Sequence, residues 1–263
     1  MRVVLQGVSV WGPGLSGWSH AARVLRGQES WEPAPVQVPP AACLPANERR
    51  RCGPLTRLAI ALADEACAQA EVRLEDVRGV FASSNGDGAV VDGILSALTT
   101  PGGEVSPTQF HNSVHNAAAG YWTIGHAILS PVVALGSYDW SFAQGLLKAA
   151  AECVVENAPV LFVAYDLPIP GPIGKVRVTR NTFGCAFVLL PQAGQNAICT
   201  LDITHTAKTM TYDEVSSPQL AELARTNPAA GGLALLQRIA SVQAGAVHLA
   251  SQPGTIRVEV LPC

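Results

Sequence analysis

Gly79-Val-Phe-Ala-Ser-Ser-Asn-Gly-Asp-Gly88 is a short apolar run that ends in a polar, glycine-rich turn, and a second apolar stretch, 90–98, follows it directly. The first run is too short for a helix and is bounded by turn residues, so it reads as a buried strand; the stretch after the turn reads as a helix. The same alternation recurs on either side. Residues 132–136 form a short apolar strand before a helical stretch at 141–155, and 159–165, with Val-Leu-Phe-Val-Ala at its centre, form another buried strand. Strand alternating with helix is the pattern of an α/β layered fold.

Toward the N-terminus, 3–10 read as a strand, Trp11-Gly-Pro-Gly14 as a turn and 16–26 as a helix. Residues 27–53 carry Pro33, Pro35, Pro39, Pro40, Pro45 and then Arg49-Arg-Arg51, and read as one long loop. A helix over 55–70 places Leu58, Leu62, Ala66 and Ala70 on one face. Residues 112–129 read as a second long helix. Its middle, Ala117-Ala-Ala-Gly120, would let another backbone approach closely, which suits the core or an interface. After a Pro/Gly loop at 167–174, residues 183–190 and 198–204 read as a strand pair. Beyond 205 come a polar stretch, a helix near 231–241 and a hairpin of 245–250 and 254–260 around Gln252-Pro-Gly254.

Of the 263 residues, 48% are hydrophobic and 14% charged, which argues against disorder and leaves little polar surface; an oligomer with apolar area buried against a partner fits. A net charge of -3 gives no basic footprint for nucleic acid or an anionic membrane. No apolar run approaches the ~20 residues of a membrane span, and a turn follows the first strand where a signal peptide would continue apolar. The seven cysteines, Cys43, Cys52, Cys67, Cys153, Cys185, Cys199 and Cys263, are odd in number and fit no zinc spacing. They read as reduced thiols in a cytoplasmic protein, most of them small core residues.

Several stretches, in order, resemble the N-terminal half of a β-ketoacyl synthase, a thiolase-fold enzyme. Arg2-Val-Val-Leu-Gln-Gly-Val-Ser-Val-Trp-Gly-Pro-Gly14 is similar to that family's opening strand and turn. Leu55-Thr-Arg-Leu-Ala-Ile-Ala-Leu-Ala-Asp-Glu-Ala66 resembles its first long helix, and 79–88 the strand and glycine turn after it. Ser106-Pro107, Asn116, Ala119-Gly120 and Pro131 fall at the family's spacing, and Phe183-Gly-Cys-Ala-Phe-Val-Leu-Leu190 resembles the strand that ends its first half. The resemblance covers 1–204. It implies a thiolase-like α/β layered fold with the N-terminal half complete and the C-terminal half strongly abbreviated, 205–263 being a remnant of the same domain.

The departures decide the expected activity. In the family, a short strand after the proline runs into an Ala-Cys-x-Ser-Gly turn at a helix N-terminus, where the dipole lowers the pKa of the nucleophilic thiol. A gap-free count from Pro131 puts the cysteine position on Asp139, or on Ser137 if the register shifts by two, and no cysteine lies within 68–152. An acyl-aspartyl anhydride would hydrolyse, and Ser137 would need an adjacent base. Asp139 otherwise reads as an N-cap for the helix that follows. The family's two catalytic histidines lie in its second half. Here His205 and His248 lack the glycine context of those motifs and read as ordinary histidines.

The resemblance therefore implies a chain-length factor: a ketosynthase-like subunit without a catalytic residue, working with an active β-ketoacyl synthase in a heterodimer and reaching acyl carrier protein through that complex. Aryl polyene, type II polyketide or fatty-acid-like chain elongation is the expected setting. The tunnel and interface positions it implies are Phe110, His111, His115, Asn116, Gly120, Val132, Val133 and Ala134. His111 and His115 would share one face at the helix start, but no third ligand accompanies them, so no metal or cofactor is expected. Arg49-Arg-Arg51 is a solvated patch or a contact for an acidic carrier protein. Two other readings stay open: an acyl-carrier-protein decarboxylase or hydrolase using Asp139 or Ser137, and a scaffold that stabilises the ketosynthase without touching the acyl chain.

Overall fold

A computed structural model describes residues 1–263. Its nine strands are β1 (Arg2–Gly12), β2 (Leu15–Ser16), β3 (Arg78–Ala82), β4 (Val132–Leu135), β5 (Val160–Asp166), β6 (Phe183–Leu190), β7 (Cys199–Thr206), β8 (Gly245–Ala250) and β9 (Thr255–Pro262). The helices are α1 (Gly17–Leu25), α2 (Ala46–Arg51), α3 (Pro54–Ala70), α4 (Gly88–Thr99), α5 (Pro107–Asn112), α6 (Ala117–His126), α7 (Ser141–Glu156), α8 (Gly171–Val176), α9 (Pro218–Thr226) and α10 (Leu233–Ala240).

All strands join one mixed sheet in the order β4-β3-β5-β6-β1-β7-β9-β8, with β2 paired to β1. The three strands at the β4 end run parallel, and the rest pair antiparallel. The central strands are buried on both faces, which is why they read as unbroken apolar runs. In β5, Val160, Phe162 and Ala164 face one core, while Leu161, Val163 and Tyr165 face the other. The first core is closed by α1, α7, α9 and α10, the second by α3 and α6.

β1 keeps its apolar side chains on one face only because its period is broken. Val3 and Leu5, then Val8 and Val10, all join the larger core, and the register against β6 shifts between Leu5 and Gly7. The bulge supplies the extra residue that restores the inward parity. At that bulge Gln6 Nε2 donates to Ala70 O at 2.7 Å, capping the end of α3. Gly7 lies so close to α3 that a Cβ there would stand 2.1 Å from Ala66 O. Glu65, on the same helix, accepts from Ser9 Oγ (2.6 Å), Trp11 Nε1 (2.7 Å) and Trp18 N (2.9 Å), which fastens β1, α1 and α3 together.

Several expectations need correction. Strands 183–190 and 198–204 do not pair with each other, because β1 lies between them and bonds to both. The helix expected over 112–129 is two helices, α5 and α6, separated at 113–116. There Ser113 Oγ donates back to Phe110 O, and His115 is drawn away to Ser83 O, so local polar contacts replace helix continuation. The expected loop 27–53 contains α2, the polar stretch after 205 contains α9, and a short α8 lies across the end of the Pro/Gly loop. The closing hairpin, β8 and β9, joins the main sheet through β7. No helix is long and apolar enough to cross a membrane.

Candidate functional site

The carboxyl ends of β3, β4 and β5 lie side by side, and the residues that follow them converge. In a parallel sheet this is the end where chemistry is usually done. After β3 come Ser83, Ser84 and Asn85; after β4 comes the turn Gly136-Ser-Tyr-Asp-Trp140 that leads into α7; β5 ends on Asp166.

Asp166 is the buried hub. Its Oδ1 accepts from Ser83 Oγ (2.9 Å), Ser84 N (2.9 Å) and Asn85 N (3.3 Å), while Oδ2 is buried without a partner. Burial raises its pKa to about 7, against the lowering effect of those donors and of Arg177. Asp166 thereby fixes the turn after β3. His115 closes the same corner through Nε2, 2.9 Å from Ser83 O.

The turn after β4 holds the expected nucleophile position. Tyr138 has φ +52°, a left-handed conformation that costs an aromatic residue about 1–3 kcal/mol. Its ring lies under the Arg177 guanidinium, 3.9 Å from carbon to ring centroid. Arg177 Nη2 also lies 2.6 Å from Asp139 Oδ1 and donates to Ser84 Oγ at 2.6 Å, and its Nε donates to Asn85 Oδ1 at 3.0 Å.

Asp139 is therefore the partner of an arginine and not a helix cap: the capping position is Trp140, with no side-chain bond. Ser141 does the local work instead, accepting from Ser137 N at 2.9 Å and donating to Tyr138 O at 2.7 Å. Ser137 takes part through its backbone, and no base is bonded to its hydroxyl. Sequence reasoning missed both Arg177 and Asp166. Arg177 follows a short helix read as loop; Asp166 closes a correctly read strand, and a lone acidic residue after six hydrophobic ones was a legible signal.

No thiol takes the nucleophile's place. Burial pushes the Cys52 thiol up to about 11 and those of Cys67, Cys153 and Cys199 up to about 12, and it raises Cys43 and Cys185 as well. Such thiols stay protonated and inert at neutral pH. His205 and His248 sit away from this corner, at Pro253 O (2.8 Å) and Asp213 Oδ2 (3.1 Å).

The expected tunnel residues divide into three groups. Phe110, His111, Asn116 and Gly120 line one open pocket of about 820 Å³, together with Val114, Tyr121 and Ile124. Val132, Val133 and Ala134 form the edge strand β4. His115 belongs to the strand-end corner, so it does not share a helix face with His111, whose ring packs edge-on against Tyr121.

The two edges of the sheet differ. The outer edge of β8 is met at its middle: Asp213 N donates to His248 O at 2.9 Å, and His248 N donates to Asp213 Oδ2 at 2.7 Å. The outer edge of β4 carries only Val132, Val133, Ala134 and Leu135, and its backbone bonds run to β3 alone. Elsewhere, α4, which packs on α5, is an apolar helix with no buried residue, and Phe110, Val114, Ile124 and Leu129 are exposed.

Comparison with known proteins bears on this arrangement. The family model described as β-ketoacyl synthase, N-terminal domain, matches residues 18–251. A chain of the solved ketosynthase (ApeO) in complex with its chain length factor (ApeC) from Xenorhabdus doucetiae aligns with a TM-score of 0.74 at 20% identity, covering 99% of both chains. A chain of the ishigamide ketosynthase/chain length factor gives 0.71 at 14%, covering 100% of this chain and 99% of that one. The ketosynthase from module 6 of the bacillaene synthase from Bacillus subtilis 168 gives 0.59 at 13%, and there the match takes in 86% of this chain but 45% of that one. No curated protein matches the sequence.

Proposed function

Because the chain belongs to the β-ketoacyl synthase N-terminal domain family and has its thiolase-like fold, we propose that it is a non-catalytic, ketosynthase-like subunit of the chain-length-factor kind. It would pair with an active β-ketoacyl synthase and shape that partner's acyl tunnel during polyketide, aryl polyene or fatty-acid-like elongation. Acyl carrier protein would be met through the complex.

The observation that carries this reading is the bare, uncharged edge of β4. An open apolar edge invites pairing with another chain, and proteins usually charge it, shorten it or cover it. At the opposite edge Asp213 occupies the outward backbone groups of His248, and β4 has no such contact. The reading places β4 against its counterpart across a pseudo-two-fold axis, with α4, α5 and α6 completing an obligate, apolar interface.

Loss of catalysis is argued from the turn after β4. Asp139 is held by Arg177, and no base is bonded to the Ser137 hydroxyl. This weighs against a decarboxylase or hydrolase built on Asp139 or Ser137. The pocket lined by Phe110, His111, Asn116 and Gly120 weighs against a scaffold that never meets the acyl chain. The similar chains in ketosynthase–chain length factor complexes have nearly the same length as this one, whereas this chain covers less than half of the compared bacillaene synthase ketosynthase.

The test is an elongation assay with malonyl units on acyl carrier protein, using this chain, an intact ketosynthase, and the two together. Elongation that needs both chains supports the reading. Turnover of acyl carrier protein by this chain alone, lost on Asp139→Ala or Ser137→Ala, would replace it with an altered enzyme.

A further inference from the structure

We propose that Cys43, Asp64 and His126 form a binding site for a divalent transition-metal ion of the zinc class. The three come from separate elements: the irregular segment before α2, the middle of α3 and the last residue of α6. Their ligand atoms, a thiol sulfur, a carboxylate oxygen and an imidazole nitrogen, all lie within 4.8 Å of one another. His126 Nε2 stands 2.8 Å from Asp64 Oδ1.

Metal–sulfur and metal–nitrogen bonds of about 2.3 and 2.0–2.1 Å at the tetrahedral angle put ligand atoms about 3.3–3.6 Å apart. The His126–Asp64 spacing lies just below that range, and the sulfur lies within 4.8 Å of both. An ion would part the imidazole and carboxylate slightly. Thiolate, imidazole and carboxylate together suit zinc or cobalt, whereas magnesium and calcium take oxygen ligands. All three residues are only partly buried, so water can complete the fourth position.

The surroundings are built to hold this geometry. Trp122 Nε1 donates at 3.2 Å to Asp64 Oδ1, the oxygen that faces His126, and so fixes the carboxylate, as ligands in metal sites commonly are held by outer hydrogen bonds. Gly125 leaves room for the thiol: a Cβ there would stand 2.8 Å from Cys43 Sγ. Arg49 Nη2 donates to Ala42 O (3.3 Å) and Leu44 O (2.8 Å), fixing the backbone on both sides of Cys43. The ion would staple the irregular 27–45 segment to α3 and α6, and α6 carries the pocket wall Gly120, Tyr121 and Ile124. The site lies within this chain and stands independently of any partner.

The experiment is a titration of the full chain with Co²⁺, followed by displacement with Zn²⁺. A thiolate-to-cobalt charge-transfer band with tetrahedral visible bands is expected, and zinc should raise the melting temperature. Cys43→Ser and His126→Gln should each weaken cobalt binding by at least about 100-fold, and Cys52→Ser and Cys263→Ser should leave it intact. A second measurement needs no variant: zinc-edge absorption of the wild-type chain should show one sulfur at about 2.3 Å and nitrogen or oxygen at about 2.0–2.1 Å. Absence of the charge-transfer band, its survival in either ligand variant, or a zinc shell with no sulfur or with several would overturn the proposal.

Discussion

Arg177 Nη2 lies 2.6 Å from Asp139 Oδ1, with the same guanidinium stacked over Tyr138. The pair is lopsided. Asp139 is half exposed and has this one partner, whereas Arg177 is mostly buried and also serves Ser84 and Asn85. Asp139→Ala should therefore cost at most about 1 kcal/mol, as for other solvent-screened pairs, and should leave partner-dependent elongation unchanged. Arg177→Ala strands two polar side chains and frees the strained Tyr138, and should cost about 1–3 kcal/mol. Denaturant midpoints of the two variants check the order; a larger loss for Asp139→Ala contradicts it.

Product length tests the pocket. Gly120 faces open space, with nothing within 4 Å of where a Cβ would stand, and Phe110 is 69% exposed at the mouth. Gly120→Leu and Phe110→Trp should fold normally and shorten the longest acyl chain made by the complex. Mass spectrometry of the extracted products reads this. Unchanged chain lengths in both variants would leave the scaffold reading in possession.

Glu65 should matter more than a half-buried carboxylate usually does, because Ser9, Trp11 and Trp18 all donate to it. Removing the acceptor leaves donors unmet between β1 and α3, so Glu65→Ala should lose about 2–4 kcal/mol. Glu65→Gln, which keeps one oxygen, should lose less. Thermal melts of both variants give the comparison.

The pH dependence of stability should show Asp166. Its pKa is about 7 in the folded chain and near 3.9 when unfolded, so the folded state holds the extra proton between those values. The stabilisation is complete below pH 4 and is lost as pH rises to about 7, on the order of 4 kcal/mol at most, after which the curve is level. Asp166→Asn keeps an acceptor for Ser83 and Ser84 without the buried charge. Its stability should be flat across that window and exceed that of the wild type at pH 8. A wild-type curve that rises from pH 4 to 7 while the variant's stays flat would exclude this role.

How far the sequence led can be argued from particular residues. The strands at 79–84 and 159–165 were legible because strands buried on both faces must be apolar at every position. The hairpin around Pro253 was legible from its turn residues. β1 lying between 183–190 and 198–204 was not, since long-range pairing leaves no local trace. The break at 113–116 came from His115 reaching Ser83, a contact across the fold. By contrast, α9 was missed although Ser217-Pro218 is a good start signal: Ser217 Oγ accepts from Leu220 N.

At the site, the lack of a thiol in the turn after β4 was readable directly. What holds the turn was not. Arg177 lies on a segment whose prolines and glycines mask a short helix, and only the tertiary fold brings it over Tyr138. Cys43, Asp64 and His126 share no spacing rule for the same reason: three elements far apart in the chain deliver them to one place.

The central claim is that the open edge of β4 is made to pair with a ketosynthase. Pro131 O and Leu135 O accept from β3, so the alternate residues Val132 and Ala134 turn their N–H groups outward. Ala134→Pro deletes an outward donor and spares the bonds to β3. The decisive measurement is co-expression of wild type and Ala134→Pro with an intact ketosynthase, followed by size-exclusion chromatography with light scattering. The account predicts a 1:1 heterodimer for wild type, and a folded but unpaired chain for the variant. A wild-type chain that ignores the ketosynthase and forms a stable homodimer, or a variant that pairs as well as wild type, would contradict it.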